Sequence, residues 1–353
     1  MPPSPTITVI RGRFGPAAAQ VLEQVRAIGV AHRDELASST ELSLATVGRV
    51  VGQLTDARVL RECPQKVRSR SIGRPGIAVE VDVDHYLTAG VHIGRRITTV
   101  ALGDLTGRVV AAETIRRAPG ERVDLDGVSR RAAALLAGNP GRPPISVGLV
   151  GPWRELGLPP GELGAELHDL TGLEVRTADH IAAVAATEFF HRRRGTPGVT
   201  LYVYARDTVG FAVATDKGTH TEVSRVGSLT HYPTGSDVPC WCGRTGCLQV
   251  TAGDEAVLPS ARARLLGEAA ASVRDMVAPD RVVLVGQAFT GCPGVRDDIT
   301  SAFSDTTALG DVPLSFTRFG AGIQAITACT IALGPVYDDP LGVVPRRADS
   351  VAE

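Results

Sequence analysis

The sequence predicts a small helical domain with a β-hairpin, followed by a larger α/β body made of two lobes. Within residues 15–82, three short amphipathic helical segments are followed by two strand-like runs. From residue 86 onward, strand and helix patterns alternate, and a similar order recurs from residue 200. Such a repeat indicates two α/β units with a cleft between them. Three cysteines within residues 240–247 add a candidate metal site.

Size and composition fit a folded cytoplasmic protein. The chain has 353 residues, 43% apolar and 21% charged, which suits two or three domains with full cores. No run of about 18 apolar residues exists, so no membrane span is expected. The first residues also lack the apolar core and the cleavage site of a secretion signal, and we expect a cytoplasmic location.

Charge is distributed unevenly along the chain. Residues 1–77 contain 11 Lys and Arg against 6 Asp and Glu, whereas the remainder contains 26 against 32. A basic first quarter on an acidic body indicates a surface that binds a polyanion.

The first 56 residues predict three helices, the third with two distinct faces. The first begins at Pro16 and ends at Gly29, and the second covers about residues 33–38, followed by a polar turn. Ser43 is a good N-cap for the third. Its predicted core stripe is Val47, Val50, Val51 and Leu54. The candidate DNA-contacting residues lie elsewhere on this helix: Ser43, Thr46, Arg49 and Gln53.

A basic hairpin follows these helices. The runs 59–61 and 77–81 predict its two strands, and the segment 63–76 between them has four cations and no acid: Lys66, Arg68, Arg70 and Arg74. Helix, turn, helix and hairpin in this order are typical of a winged helix-turn-helix, and the basic wing suits phosphates or a narrow minor groove. The alternative is a small helical protein-interaction module with a basic loop.

The cysteine cluster predicts a structural zinc site. Its candidate ligands are His231, Cys240, Cys242 and Cys247. Three thiolates and one imidazole complete a closed tetrahedral shell, which is the structural rather than the catalytic type. Gly243 and Gly246 permit the tight turns that such a loop needs. Buried cysteines without a metal are the alternative.

The segment from His231 through Cys240-Trp-Cys242 to Gly246-Cys247-Leu248 resembles the zinc signature of the ROK group of repressors and sugar kinases. The resemblance extends from about Pro16 to Leu333. It implies an actin-like ATPase (ribonuclease H-like) body with a zinc knuckle and the winged-helix head of the repressor branch. The expected domains are the DNA-binding head (1–82), the first lobe (83–185), the second lobe with the zinc site (186–335) and a flexible tail (336–353).

The chain departs from the kinase pattern where kinases of the group bind ATP. His92 stands at the position of the Mg²⁺-directing aspartate, and Arg95 and Arg96 stand where the first phosphate loop needs small residues. The second loop contains Arg206 and Asp207 in place of glycines, and the adenosine-side loop at 286–288 is also poor in glycine. Bulky side chains keep backbone N–H groups away from phosphates, so we expect no kinase activity.

The sugar side of the site is only partly retained. Asp179 occupies the position of the catalytic base, although a helix cap is an equally good interpretation of this residue. Ser228 and Gln249 stand where the group has glutamates, and His231 is kept. The resemblance therefore implies an effector site at Asp179, Ser228, His231 and Gln249, with a sugar or an anion such as a sugar phosphate as the candidate ligand.

Together these features predict a non-catalytic transcription regulator that binds a double-stranded DNA operator and carries structural Zn²⁺. A homodimer, or a dimer of dimers, is the expected assembly. Two alternatives remain open: a zinc-stabilised interaction or scaffold protein without specific DNA binding, and a carbohydrate kinase.

Overall fold

The computed structural model describes most of the chain, in nine segments: residues 6–10, 15–64, 77–118, 121–191, 197–206, 208–218, 220–290, 294–317 and 319–344. Five predicted residues lie outside these segments: Lys66, Arg68, Arg70, Arg74 and Asp207. In the described part of the chain, no helix is both long and apolar enough to cross a membrane.

The first element in the described part of the chain is strand β1 (Ile7–Ile10). It is followed by a compact head, which we define as residues 15–64 and 77–82. The elements of the head are α1 (Ala17–Ile28), β2 (Val30–Ala31), α2 (Arg33–Thr40), α3 (Leu44–Asp56), β3 (Leu60–Cys63) and β4 (Ala78–Val81). β4 is the central strand of an antiparallel sheet with the order β2-β4-β3. α2 is two residues longer than the sequence predicted, and Glu41 ends it in the left-handed conformation.

The first lobe is built on a five-stranded sheet with helices beside it. Its elements are β5 (Leu87–Ile93), β6 (Ile97–Gly103), β7 (Val109–Arg116), α4 (Leu125–Ala137), β8 (Pro144–Gly151), α5 (Trp153–Leu156), α6 (Pro160–Thr171) and β9 (Val175–Asp179). The strand order is β7-β6-β5-β8-β9, with β5, β8 and β9 parallel. The carboxyl ends of β5 and β9 therefore lie at the same edge of the sheet, and they carry His92 and Asp179.

The second lobe contains a six-stranded sheet. The remaining elements of the chain are α7 (His180–His191), β10 (Gly198–Ala205), β11 (Val209–Asp216), β12 (His220–Ser228), α8 (Leu248–Gly253), α9 (Pro259–Val277), β13 (Arg281–Val285), α10 (Gln287–Thr290), α11 (Val295–Thr306), β14 (Leu314–Phe316), α12 (Ile323–Ala332), α13 (Gly334–Asp338) and α14 (Pro340–Val343). The strand order is β1-β12-β11-β10-β13-β14.

β1 differs from the expected domain division. The sequence assigned residues 1–82 to the head, but β1 pairs antiparallel with β12, with Ile7 opposite Val223. The N-terminal strand is thus an edge strand of the second lobe. As a result, the head is joined to the second lobe at its N-terminal end and to the first lobe through β4 and β5.

The helix α12 also crosses the expected boundary. It lies in the segment assigned to the second lobe, yet it packs directly on the sheet of the first. A side chain at Gly148 would place its Cβ 2.1 Å from the Ala328 carbonyl oxygen, and one at Gly90 would lie 2.7 Å from the Cys329 nitrogen. These two glycines allow the helix backbone to contact β5 and β8, so α12 belongs structurally to the first lobe.

The prediction of a flexible tail from residue 336 is wrong for its first part. α13 and α14 are helical, and Val336 and Val344 are buried in the same apolar cluster as α1 and α3 of the head. Tyr337 donates a hydrogen bond from its hydroxyl to the Leu105 carbonyl at 2.8 Å. The apolar side chains of this segment find their partners on the head, which local sequence patterns do not reveal.

Candidate functional site

α3 has one buried face and one open face. Its predicted core stripe is fully buried: Val47, Val50, Val51 and Leu54. The Ser43 hydroxyl caps the helix by accepting from the Thr46 amide at 3.1 Å, and the two hydroxyls lie 2.8 Å apart. Arg49 and Gln53 are exposed, and Arg49 Nη1 donates to Gln53 Oε1 at 3.0 Å. The structure thus brings the four predicted contact residues of α3 onto its accessible side.

Arg26 anchors the head to the body. Its guanidinium lies 3.9 Å from the centroid of the Phe190 ring, and Nη1 donates to the Phe190 carbonyl at 2.9 Å. The Tyr337 ring is 5.3 Å from the same guanidinium. A further hydrogen bond between body and head is donated by the Tyr86 hydroxyl to the Ala57 carbonyl at 3.2 Å. The sequence did not predict the contact between Arg26 and Phe190, because the two residues lie far apart along the chain and share no local pattern.

The four predicted metal ligands are brought together. Their donor atoms all lie within 4.8 Å of one another: those of His231, Cys240, Cys242 and Cys247. In a tetrahedral zinc shell, the usual bond lengths place two sulfurs about 3.8 Å apart, and a sulfur and a nitrogen about 3.6 Å apart. The structure has 3.7 Å between the Cys242 and Cys247 sulfurs, and 3.6 Å between Cys240 Sγ and His231 Nδ1. The donor set can hold a metal ion.

The loop that carries these ligands depends on its glycines, as predicted. Gly243 and Gly246 have φ values of +86° and +65°, which residues with a side chain rarely adopt. At Gly246 a Cβ would also lie 2.4 Å from the Ser236 carbonyl oxygen. Arg244 donates a hydrogen bond to the Cys242 sulfur and lowers the pKa of this thiol to about 6. The thiolate, which is the form that binds metals, is therefore favoured.

Trp241 connects the metal loop to the first lobe. This ring is 57% exposed, and its centroid is 5.6 Å from that of His231. The Arg95 guanidinium lies 4.9 Å from the Trp241 ring centroid. Arg95 follows β5, at the position where kinases of the group have their first phosphate loop, so it now takes part in a cation–π contact between the lobes.

The predicted effector residues lie on two sides of the contact between α7 and the second sheet. Asp179 is buried at the start of α7, and its Oδ1 accepts from the Ile181 amide at 2.9 Å. On the facing strand, the Ser228 hydroxyl donates to Thr230 Oγ1 at 2.9 Å. The backbone N–H of Gln249 donates to the Thr230 carbonyl at 3.1 Å. His231 follows Thr230 directly in the chain. Asp179 thus makes the contact of a helix cap.

Turn hydrogen bonds occupy amide groups in the two phosphate-loop positions. The Gly94 amide donates to the Ile97 carbonyl at 2.8 Å, and the Gly94 carbonyl accepts from the Arg117 guanidinium. In the second loop, the Arg206 amide donates to the Thr208 carbonyl at 3.1 Å. Gly286 is retained, but a Cβ there would lie 2.3 Å from the Ala205 carbonyl oxygen. This glycine is thus required for packing within the chain.

His92 is buried at the carboxyl end of β5, directly before the first of these loops. Its ring centroid is 6.3 Å from that of His180, and a 2.7 Å hydrogen bond joins His180 Nε2 to Thr208 Oγ1. Burial is the main factor that lowers the pKa of His92 from 6.5 to about 3, and the charges of His180 and Arg206 act in the same direction. The His92 imidazole is therefore neutral near pH 7.

This buried neutral histidine predicts a pH dependence of stability. In the unfolded chain His92 takes up a proton below about pH 6.5, whereas in the folded chain it does not, so the free energy of unfolding falls as the pH falls from 6.5 toward 3. At pH 5 this contribution is about 2 kcal/mol. In urea titrations at pH 7 and pH 5, we expect His92→Gln to lose less stability on acidification than the wild type. His168→Gln, at an exposed position on α6, is the control; an equal loss in His92→Gln and wild type would contradict the prediction.

Comparison with known proteins places the chain in a family. It is 34% identical, over 94% of its length and 88% of the relative, to the protein named transcriptional regulator Rv0485 of Mycobacterium tuberculosis. It is 26% identical to the DNA-binding transcriptional repressor Mlc of Escherichia coli, over 70% of this chain and 65% of that protein. No protein-family model matches the chain.

Solved structures show the same fold. A crystal structure of a ROK family transcriptional regulator, described as a homolog of the Escherichia coli Mlc protein, superposes with a TM-score of 0.66 at 21% identity and covers 94% of this chain and 98% of that one. A ROK hexokinase of Thermus thermophilus superposes with a TM-score of 0.52 at 20% identity, over 70% of this chain and 98% of that one. The body thus has the mixed α/β fold that ROK regulators and ROK sugar kinases share. The chain belongs to the ROK family of transcriptional regulators.

Proposed function

We propose that the protein is a DNA-binding transcription regulator whose head is a winged helix-turn-helix and whose α3 is the recognition helix. The observation that carries this proposal is α3 itself, with a fully buried apolar face and an exposed face that presents Arg49 and Gln53. α2 and the left-handed turn at Glu41 precede it, as in a helix-turn-helix. The basic segment between β3 and β4 supplies the wing.

The proposed partner is a double-stranded operator, bound by two heads of a homodimer. Two recognition helices then enter successive major grooves, and the half-sites lie about one helical turn apart or at a multiple of it. A gel-shift assay on the upstream region of the gene that encodes this protein tests the proposal. We expect the protein to stay bound to this DNA, and to retard it in the gel, when unrelated DNA is present in excess. Equal competition by unrelated DNA would favour the alternative of a zinc-stabilised scaffold protein.

The wing cations are expected to supply nonspecific affinity. Changing Lys66, Arg68, Arg70 and Arg74 together to alanine removes four positive charges from a loop without acids. Each lost phosphate contact should reduce the slope of log K against log salt by about 0.9. Titrations of one duplex between 50 and 200 mM salt measure this slope, and an unchanged slope would show that the wing does not contact phosphates.

We propose zinc as the metal. The chemistry of the donor set supports it, since three cysteines and one histidine are a common zinc shell and leave no open position for a substrate. In this role His231, Cys240, Cys242 and Cys247 would hold the ion, and the ion would fix the loop between β12 and α8. The site is then structural.

The body is proposed to bind an effector rather than to phosphorylate one. Phosphoryl transfer depends on positioned phosphates and Mg²⁺, but the Gly94 and Arg206 amides already donate within their own turns, and His92 is a buried neutral imidazole. A sugar or an anion such as a sugar phosphate is the candidate ligand at Asp179, Ser228, His231 and Gln249. A coupled ADP-release assay with Mg-ATP and a panel of hexoses tests the absence of kinase activity, and turnover of any hexose would contradict it.

α7 connects the predicted effector residues to the head. Its first residue, His180, lies beside Asp179, and Phe190 near its other end contacts Arg26 of the head. A ligand that shifts the first turn of α7 would therefore move Phe190, which contacts Arg26 of α1. We propose that effector binding changes the orientation of the heads, and hence operator affinity, through this helix.

A further inference from the structure

Leu44 is an apolar side chain in an unusual place. It is the first residue of α3 and is 60% exposed, whereas Leu54 near the other end of the same helix is fully buried. Among the described residues, it belongs to none of the apolar clusters of the head or the body. Exposed single leucines occur on many surfaces, so its position relative to the rest of the helix decides what it can do.

Leu44 lies at the end of α3 that a recognition helix presents to DNA. In helix-turn-helix proteins the N-terminal residues of the recognition helix contact base edges in the major groove. The Cα–Cβ bond of a helical residue is tilted toward the N-terminus, so the Leu44 side chain is directed toward that end. Arg49 and Gln53 follow within the next two to three turns on the accessible side.

The two α3 positions that follow Leu44 at intervals of four residues carry no side chains. The positions four and eight residues further along are Gly48 and Gly52, and a Cβ at either would have no atom within 4 Å. No described residue requires glycine there, although glycine inside a helix is less favourable than alanine. A helix that lacks side chains along this row can approach another surface closely, which brings Leu44 nearer to the floor of a groove.

We propose that Leu44 reads thymine, by packing against the thymine 5-methyl group in the major groove beside the base pair that Arg49 contacts. The proposal rests on the proposed function, in which α3 is the recognition helix. The 5-methyl is the only apolar group at the major-groove edge of the bases, and apolar side chains recognise it by contact. Arg49 and Gln53 make polar contacts only, so a leucine at the helix start adds a kind of recognition that these two residues do not provide.

Removal of single methyl groups from the DNA tests this proposal. An operator is first selected from random duplexes with the wild-type protein, and each thymine is then replaced in turn by deoxyuridine, which lacks only the 5-methyl group. For the wild type we expect one thymine per half-site at which the replacement weakens binding about three- to fivefold, since one buried methyl group is lost. Leu44→Ala should bind the original operator more weakly and should be indifferent to deoxyuridine at that position.

Two variants serve as controls. Leu258→Ala removes a leucine that is 70% exposed on the body, and it should behave as wild type on both duplexes. Arg49→Ala should bind more weakly yet keep its sensitivity to the lost methyl group. An unchanged melting temperature of Leu44→Ala shows that the head is intact.

The outcomes separate the proposal from the proposed function. If the wild type selects an operator and Leu44→Ala keeps full sensitivity to deoxyuridine at every thymine, or if no thymine is sensitive in the wild type, the assignment of Leu44 is overturned while DNA recognition stands. If the wild type enriches no sequence at all, the proposed function fails, and the assignment fails with it.

Discussion

Cys242→Ser is expected to release the metal ion and to lower the melting temperature by about 5–10 °C. The sulfurs of Cys242 and Cys247 are 3.7 Å apart. The loop between these residues turns at Gly243 and Gly246 in conformations that a bound ion would stabilise. A serine hydroxyl is a poor zinc ligand, so the remaining three donors would hold the ion much more weakly. Elemental analysis and thermal unfolding of protein purified without chelators measure the two effects.

Cys63→Ser is the matched control for this variant. Cys63 is a half-buried cysteine in β3 of the head, outside the metal cluster. We expect this variant to keep one zinc ion per chain and the melting temperature of the wild type to within a few degrees. Wild-type protein without bound metal, or a Cys242→Ser variant with full metal content, would refute the structural zinc site.

The second large effect concerns DNA recognition. Arg49→Ala is expected to weaken binding to the selected operator by about 1–3 kcal/mol and to relax the preference at one base pair. The arginine presents a planar set of donors that matches the guanine edge, and no other cation lies on the exposed face of α3. Affinities for the operator and its single-base variants, measured by fluorescence anisotropy, test this.

Gln53 refines this prediction. Because Gln53 Oε1 accepts from Arg49 Nη1 at 3.0 Å, the glutamine can hold the guanidinium in position as well as contact a base. Gln53→Ala is therefore expected to weaken the preference at the base pair that Arg49 contacts. Arg130→Ala is the control, since Arg130 is an exposed arginine on α4 of the body. If Arg49→Ala weakened binding to all base variants equally, Arg49 would be a phosphate contact only.

Local sequence patterns were sufficient for elements whose information lies within a short segment. The spacing of the apolar residues in α3 and its Ser43 cap predicted both the helix and its buried face, and the structure agrees. The close spacing of Cys240, Cys242 and Cys247 predicted the metal cluster for a similar reason, because the ligands lie on one loop whose glycines dictate its turns.

Contacts between distant segments could not be predicted in this way. β1 is a four-residue strand whose partner, β12, lies more than 200 residues further along the chain. The sequence assigned Val336 and Val344 to a flexible tail, yet their apolar partners are on the head. The contact of Arg26 with Phe190 has the same origin, since neither residue is distinctive until the fold brings them together.

The central claim is that the head reads a particular DNA sequence. It is tested most directly by comparing the affinities of the full-length protein for the selected operator and for a shuffled duplex of the same composition, at about 150 mM salt. We expect the operator to be bound about 10³-fold more tightly or better, as is typical of specific regulators. Equal affinity for the two duplexes would contradict the account.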